Sequence, residues 1–330
     1  MSWERKRVLV TGADGFIGSH LTEALIELGA DVTAFCLYSS NGTLGWLDET
    51  TDQVRRAIRI RRGDIRDARF VQEACEGASV IFHLAALIAI PYSYHAPQSF
   101  VDTNVGGTLN MLEAARRNGC ERFVHTSTSE VYGTADTLPI TESHPLKAQS
   151  PYSATKIAAD KLCEAYFHSY GLPVTTIRPF NTYGPRQSAR AVIPTILAQA
   201  LSNRPTIRLG NLSPKRDLTY VTDTVRGLVL AAEAEGVDGR TIQLGSGRAD
   251  SIADLVDMIA RICGVDLEIE EEPARKRPRA SEVMVLQSDP SLARELLGWQ
   301  AETSLEEGLR QTAEWMRGNL ARYAPDQYAI

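Results

Sequence analysis

The chain has 330 residues, of which 43% are hydrophobic and 23% are charged, values that are ordinary for a globular protein. Its formal net charge of -6 argues against a nucleic acid or an acidic membrane surface as the main partner. No stretch reads as a signal peptide or a membrane span, the five cysteines lack a Cys-x-x-Cys pair, and the histidines lack metal-ligand spacing. We therefore expect a reduced cytoplasmic protein without a metal site.

A glycine-rich turn follows the first predicted strand. Residues 7–10 form a short apolar strand, the turn spans residues 11–18, and a helical pattern continues to residue 28. In this context the first glycine permits a tight turn, the second lets a pyrophosphate approach the backbone, and the third lets the helix lie close to the strand. The helix N-terminus offers free N–H groups to the phosphates. The predicted cofactor residues here are Gly12, Gly15, Phe16, Ile17 and Gly18.

The end of the second predicted strand, residues 31–36, bears on the choice of cofactor. Dinucleotide folds often carry an acid there, which holds the ribose 2′-hydroxyl of NAD. Cys36 occupies this position, and the hydroxyl of Ser39 follows nearby. The lack of an acid removes the repulsion of a 2′-phosphate, yet no arginine lies in this stretch to indicate NADP. The sequence therefore predicts NAD(P) and leaves the preference open.

Strands predicted at residues 58–61, 80–86 and 122–125 alternate with helical patterns. The alternation predicts an α/β fold, a Rossmann-type doubly wound parallel sheet. Asp64 is expected to accept a hydrogen bond from the adenine amino group, or to cap the helical segment from Asp67, or both. The apolar fourth strand ends in small residues that suit close passage of a cofactor. The cofactor residues predicted in this region are Asp64, Ile65, Leu84, Ala85 and Ala86.

The second half of the chain alternates less strictly and predicts a smaller C-terminal α/β lobe with a cleft against the first half. Before it, residues 88–97 predict an aromatic, turn-rich loop containing Pro91 and Tyr92. This loop either lines a substrate pocket or covers the sheet. We expect a dinucleotide-binding domain of residues 1–180 plus about 217–245, and a nucleotide-sugar-binding lobe of residues 181–216 and 246–330.

Tyr152 and Lys156 lie four residues apart on a predicted helix that Ser150 and Pro151 begin. Residues at this spacing share one helix face. A nearby ammonium lowers the pKa of a phenol from about 10, so the phenolate takes a proton from a hydroxyl near neutral pH. A lone Tyr-x-x-x-Lys pair is more often a surface feature. The glycine-rich turn and the polar residues 128–130, at a strand end where ligands bind, favour catalysis here.

Taken together, these motifs resemble the extended short-chain dehydrogenase/reductase superfamily, in the branch that acts on nucleotide sugars. The resemblance covers nearly the whole chain and includes residues 83–86, 178–181 and 216–217. The triplet Thr-Ser-Glu at 128–130 resembles that of 4,6-dehydratases and UDP-glucuronate decarboxylases. Residues 84–97 and 180–194 look closest to UDP-N-acetylglucosamine 4,6-dehydratases of the legionaminic acid type.

The resemblance implies catalytic roles for Thr128, Ser129, Glu130, Tyr152 and Lys156. Thr128 and Tyr152 would handle the proton of the sugar O4 while hydride leaves C4, and Lys156 would hold the cofactor ribose. Glu130 would take the C5 proton before water leaves C6 and the hydride returns there, so the tightly bound cofactor is recycled. Glucose-type dehydratases have Asp at the position of Ser129, so Glu130 would act as base and then acid, or Ser129 would relay through water. A purely structural role for Glu130 stays open.

The resemblance also implies the substrate contacts and the partners. We expect a homodimer formed by helices at residues 101–118 and 152–170. The alternatives to a dehydratase are a UDP-glucuronate decarboxylase, a UDP-sugar 4-epimerase and, more remotely, a non-catalytic dinucleotide-binding sensor. The predicted substrate-binding residues are Pro91, Tyr92, Asn181, Val192, Arg216 and Arg277.

Overall fold

The structure, a computed structural model, describes residues 2–202 and 206–323. The strands are β1 (Arg7–Thr11), β2 (Asp31–Leu37), β3 (Arg59–Gly63), β4 (Val80–His83), β5 (Arg122–Thr126), β6 (Val174–Pro179), β7 (Asn181–Tyr183), β8 (Thr206–Leu209), β9 (Lys215–Tyr220), β10 (Thr241–Leu244), β11 (Ala249–Ser251), β12 (Glu268–Glu271) and β13 (Val285–Leu286). The helices are α1 (Phe16–Glu27), α2 (Asp52–Ala57), α3 (Ala68–Ala74), α4 (Ile90–His95), α5 (Pro97–Phe100), α6 (Gly107–Arg117), α7 (Pro151–Tyr170), α8 (Val192–Leu201), α9 (Val221–Glu233), α10 (Ile252–Cys263), α11 (Ser291–Leu297) and α12 (Leu305–Asn319).

The main sheet has seven parallel strands in the order β10-β6-β5-β4-β1-β2-β3. The chain runs outward from β1 through β2 to β3, then returns to place β4 on the other side of β1. Strand order therefore reverses between β1 and β4, and ligands of open α/β sheets bind at such a point. This topology confirms the predicted Rossmann-type fold.

Both faces of the sheet are buried. Successive residues along a strand point to opposite faces, and each face packs against its own apolar cluster. Val8, Val10 and Phe82 belong to one apolar cluster, whereas Leu9 and Ile81 belong to a second cluster on the other face. All four residues of β4 are buried, as the apolar sequence predicted. The carboxyl ends of these rigid central strands position the candidate site.

The remaining strands form two smaller sheets, one around β9 and one of two strands. Strand β9 pairs with β11, β13 and β7, and β12 pairs with β8. The predicted domain division at about residues 180, 217 and 245 stays a prediction. Within the described ranges, no helix is both long enough and apolar enough to span a membrane.

Two elements differ from the sequence-based expectation. Strand β4 ends at His83 rather than residue 86. The N–H of Leu84 is shared between the carbonyl of Thr11 at 3.3 Å and its hydroxyl at 3.1 Å, and the N–H of Ala85 donates to that hydroxyl at 3.1 Å. The prediction of a loop at residues 88–97 is wrong, because this segment forms α4 and the start of α5. Pro91 lies in the first turn of α4, where a missing N–H costs nothing.

Helix α7 agrees closely with its prediction. Ser150 is its N-cap, and the hydroxyls of Ser150 and Ser153 form a reciprocal capping box. The residue after the helix, Gly171, is its C-cap, and its φ of +66° is a left-handed conformation that glycine adopts without strain. The helix predicted at 101–118 is correct except that a π-helical turn, Val101–Gly106, precedes α6.

Candidate functional site

The glycine-rich turn leaves a backbone cradle at the start of α1. A Cβ atom on Gly12 would lie 3.0 Å from the backbone N and Cα of Ala85, and one on Gly18 would lie 2.0 Å from the carbonyl oxygen of Gly12. Helix α1 begins at Phe16, and its N-cap Gly15 has no side chain to satisfy the first-turn N–H groups. A dinucleotide diphosphate fits this cradle, because it accepts from free N–H groups at the positive end of a helix.

The segment after β4 is held in place by buried polar contacts that the sequence reading did not identify. Nδ1 of His83 lies 2.9 Å from the hydroxyl of Thr11, and its Nε2 lies 3.0 Å from the hydroxyl of Thr108. Burial keeps the pKa of His83 well below its ordinary value, so the ring is neutral. These contacts fix Leu84 to Ala86 beside the cradle.

At the adenosine end, the predicted residues are partly engaged with one another. Asp64 accepts hydrogen bonds from the backbone and the guanidinium of Arg66, which lower the pKa of its carboxyl group. Asp67, not Asp64, is the N-cap of α3. The side chain of Ile65, predicted as a cofactor contact, is buried in an apolar cluster of the core. Ser39 donates to the side chain of Asn41 at 2.5 Å.

Tyr152 and Lys156 lie on the buried face of α7, with 7% and 3% exposure. Burial raises the pKa of Tyr152, the hydrogen bond with Thr128 works in the opposite direction, and the charge of Glu130 raises it further. The net shift of the Tyr152 pKa is therefore upward, and the predicted lowering by Lys156 is wrong. The ammonium of Lys156 instead donates to the backbone oxygen of Thr126 at 2.8 Å.

Residues 128–130 begin a short 3-10 helix, Ser129–Tyr132, directly after β5. Thr128 caps it, with its hydroxyl accepting from the N–H of Glu130 at 3.2 Å. Ser129 is only 2% exposed, whereas Glu130 is partly exposed. The hydrogen bond of Thr128 and the charge of Glu130 both act on Tyr152, so the structure brings these predicted residues together.

A cluster of opposite charges adjoins Glu130. Nη1 of Arg277 lies 3.9 Å from the carboxylates of both Glu130 and Glu282, and Nη2 of Arg216 lies 3.4 Å from Glu282. Nη1 of Arg277 and Oδ1 of Asn181 are buried without a hydrogen-bond partner. Arg216 and Arg277 were predicted, but Glu282 was missed, since a lone glutamate five residues after Arg277 carries no sequence signal.

Hydrogen bonds connect the segment before Glu282 to the residue before the N-cap of α7 and to α4. The hydroxyl of Ser281 donates to the backbone oxygen of Gln149 at 2.5 Å and also contacts the hydroxyl of Tyr94 at 2.5 Å. The side chain of Gln149 donates back to the carbonyl of Ala280 at 2.9 Å. These bonds hold the charge cluster over the helix that carries Tyr152.

The other predicted substrate residues lie farther out. The ring of Tyr92 on α4 is tilted against that of Phe100, with 6.1 Å between the ring centres. The ring of Phe100 in turn meets that of Tyr152 edge-on at 6.3 Å. Pro91 precedes Tyr92 in the same helix. Val192 is the first residue of α8 and packs against the large apolar cluster, separate from the contacts above.

A buried ion-pair network lies beneath Lys156 and was not predicted. Asp160, one turn after Lys156, accepts from Nε of Arg178 at 3.0 Å and lies 3.4 Å from Nε2 of His125. Nη1 of Arg178 also donates to the hydroxyl of Tyr132 at 3.1 Å. Burial alone would raise the pKa of Asp160, but His125 and Arg178 hold it below its usual value. Burial lowers the pKa of His125 to about 4.

Comparison with known proteins identifies the family. A family profile described as GDP-mannose 4,6 dehydratase matches residues 9–312. A UDP-glucose 4-epimerase of Mycolicibacterium smegmatis is 36% identical over 94% of this chain and 98% of its own length. A dTDP-glucose 4,6-dehydratase of Xanthomonas campestris is 32% identical over 94% and 93%, respectively.

A solved structure shows the same likeness in three dimensions. The dTDP-glucose 4,6-dehydratase of Streptomyces venezuelae, crystallised with NAD bound, superposes with a TM-score of 0.85 at 30% identity, over 97% of this chain and 99% of that one. The relatives are enzymes that act on nucleotide sugars, and the backbone cradle fits their NAD(P) cofactor. The chain therefore belongs to the extended short-chain dehydrogenase/reductase family of NAD-dependent epimerases and dehydratases.

Proposed function

We propose that this enzyme is a nucleotide-sugar 4,6-dehydratase and that its substrate is UDP-N-acetylglucosamine. The observation that carries the proposal is the carboxylate of Glu130, which acts electrostatically on Tyr152 and faces Arg277 at 3.9 Å. A 4-epimerase needs no base for the C5 proton, whereas a dehydratase does. The choice of sugar nucleotide is supported by the resemblance of residues 84–97 and 180–194 to legionaminic acid-type dehydratases.

The first chemical task is removal of the proton from the sugar C4 hydroxyl. Thr128 would hydrogen-bond that oxygen, and Tyr152 in its phenolate form would take the proton. Burial disfavours the phenolate by raising the pKa of Tyr152, and the hydrogen bond with Thr128 acts in the opposite direction. The turn from Gly12 to Gly18 would hold the cofactor diphosphate, and Lys156 the cofactor ribose. When bound, NAD(P) would supply the acceptor for the hydride from C4 and the donor of the hydride to C6.

The second task is elimination of water across C5 and C6. The C5 proton of the 4-keto sugar is acidic, and Glu130 is the base proposed for it. Water then leaves from C6 after its hydroxyl receives a proton. Ser129 is a poor acid and is buried, so we assign this proton to Glu130, which returns what it took from C5.

The substrate diphosphate would bind Arg216 and Arg277. Guanidinium groups bind phosphate oxygens bidentately. Nη1 of Arg277 and Oδ1 of Asn181, both buried without partners, would gain partners from the ligand. We assign the nucleotide sugar to the cleft between the main sheet and the lobe of residues 181–216 and 246–330, with Val192, Pro91 and Tyr92 at its border.

The second candidate is a UDP-sugar 4-epimerase, which the 36% identity to the Mycolicibacterium smegmatis enzyme favours. Product mass separates the two. Purified enzyme would be incubated in turn with UDP-N-acetylglucosamine, UDP-glucuronate, UDP-glucose, dTDP-glucose and GDP-mannose, and the products weighed. A dehydratase releases water, a decarboxylase releases carbon dioxide, and an epimerase leaves the mass unchanged.

The role of Glu130 has its own test. Glu130→Gln should slow dehydration by about 10²–10⁴-fold, because it removes an acid–base group, while oxidation at C4 continues and the reduced cofactor accumulates. Glu73→Gln, which changes an exposed glutamate on α3, is the matched control and should behave as wild type. Dehydration by Glu130→Gln at the wild-type rate would contradict the assignment.

We also propose a homodimer that forms through the surface of the Val101–Gly106 turn, α6 and α7. This surface exposes large apolar side chains, with Val101 at 45%, Leu109 at 39% and Tyr170 at 57%. Helices α6 and α7 pack side by side, so two copies would form a four-helix interface.

A further inference from the structure

The end of β2 lacks the acidic residue that commonly contacts the ribose of NAD. Strand β2 ends at Leu37, which is 62% exposed, and Tyr38 after it is 67% exposed. Neither side chain carries the carboxylate that commonly holds the ribose 2′-hydroxyl of NAD at this position. The discriminating group must therefore come from another element.

Asp14, in the glycine-rich turn, lies beside the end of β2. The N–H of Gly12 donates to the carbonyl of Phe35 at 3.0 Å, which holds the turn against the last residues of that strand. Burial raises the pKa of the Asp14 carboxyl group, the backbone of Asp14 and of Leu37 acts against this rise, and the charge of Asp14 acts on the thiol of Cys36. Asp14 is thus a half-buried carboxylate at the place where a strand-end acid would stand.

The backbone around Asp14 is fixed from the opposite side as well. The N–H of Trp46 donates to the carbonyl oxygen of Asp14 at 3.0 Å. A Cβ atom on Gly45 would lie only 2.5 Å from that same oxygen. The segment after β2 therefore packs directly on the turn, and Asp14 has little freedom to withdraw from an arriving ligand.

We infer that Asp14 replaces the strand-end acid, accepts the 2′-hydroxyl of NAD and repels the 2′-phosphate of NADP. A fixed carboxylate and a phosphate at short range repel strongly where solvent is partly excluded. The rival group is Arg62 on β3, which could attract a 2′-phosphate. Its guanidinium is exposed and donates to the carbonyl of Gly42 at 2.9 Å, so it is already engaged.

The test is a direct binding measurement that does not depend on the sugar substrate. Nucleotide-free wild-type protein would be titrated with NAD⁺ and with NADP⁺ by calorimetry, and we expect NAD⁺ to bind at least about tenfold more tightly. Asp14→Asn should narrow this ratio by about tenfold, chiefly by improving NADP⁺ binding. Asp52→Asn, an exposed charge change on α2, is the control and should keep the wild-type ratio.

A second variant keeps the inference testable if Asp14→Asn fails to fold. Leu37→Arg changes an exposed side chain next to Asp14, so its guanidinium should neutralise the carboxylate and raise NADP⁺ affinity. Equal or tighter binding of NADP⁺ by the wild type overturns the inference and points to Arg62 instead. An unchanged ratio in folded Asp14→Asn, or in Leu37→Arg, overturns it as well.

Discussion

Replacement of Asp160 by asparagine should destabilise the protein by about 3–5 kcal/mol, because it leaves a buried guanidinium without its counter-ion. The side chains of Asp160 and Arg178 are only 4% and 6% exposed, and their closest atoms are 2.9 Å apart. Water cannot replace the lost carboxylate at that depth. Asp136→Asn breaks the ion pair with Lys147, whose side chains are 57% and 38% exposed, and should change stability little.

The assay is urea denaturation followed by circular dichroism. The lowered pKa of Asp160 in the folded state means that its stabilising effect is present above its ordinary pKa of 3.8 and is lost as pH falls through the folded value. The deficit of Asp160→Asn should therefore be full at neutral pH and shrink in strong acid. A double variant, Asp160→Leu with Arg178→Met, should recover most of the loss, since apolar replacement of a buried ion pair is often neutral.

The refuting result is a small effect. If Asp160→Asn lies within about 0.5 kcal/mol of wild type at neutral pH, as surface substitutions do, then the pair is not the buried network described here. If the double variant is no more stable than the single one, the loss comes from packing around Asp160 rather than from the uncompensated charge on Arg178.

Three further predictions concern the site and its assembly. Gly18→Ala should abolish NAD(P) binding in a calorimetric titration, because its methyl group would meet the carbonyl of Gly12 at 2.0 Å, whereas Gly318→Ala, which meets no atom within 4 Å, should leave binding unchanged. Tyr152→Phe should lower turnover at least about 100-fold while UDP still binds in the same type of titration, and normal turnover would contradict a role in proton transfer. Leu109→Asp should yield a monomer in light scattering, and a persisting dimer would place the interface elsewhere.

The parts of the fold that local chemistry determines could be predicted from the sequence. The capping residues Ser150 and Pro151 fixed the start of α7, and the spacing of glycines fixed the turn before α1, because both act within a few residues. The buried β4 was predicted from its unbroken apolar run, although its end was not. That end depends on Thr11, more than 70 residues earlier, whose hydroxyl accepts from the N–H groups of Leu84 and Ala85.

The electrostatics of the site could not be predicted in the same way. Spacing correctly placed Tyr152 and Lys156 on one helix face, yet the direction of the Tyr152 pKa shift depends on burial, which the whole fold determines. Glu282 and Asp160 were missed for a related reason. Each acquires its importance from a partner far away in sequence, Arg216 for Glu282 and His125 for Asp160.

One face of helix α7 carries both the phenol of Tyr152 and a member of the buried ion-pair network, Asp160. Tyr152, Lys156 and Asp160 follow one another at intervals of four residues, which places them in one row along the helix. Burial raises the pKa of Tyr152 and lowers the pKa of Lys156, and the charge of Asp160 acts upward on both values. His125 and Arg178 hold the pKa of Asp160 low, so that it carries this charge. We therefore expect that replacing a charge in this row changes both the stability of the fold and the proton affinity of Tyr152.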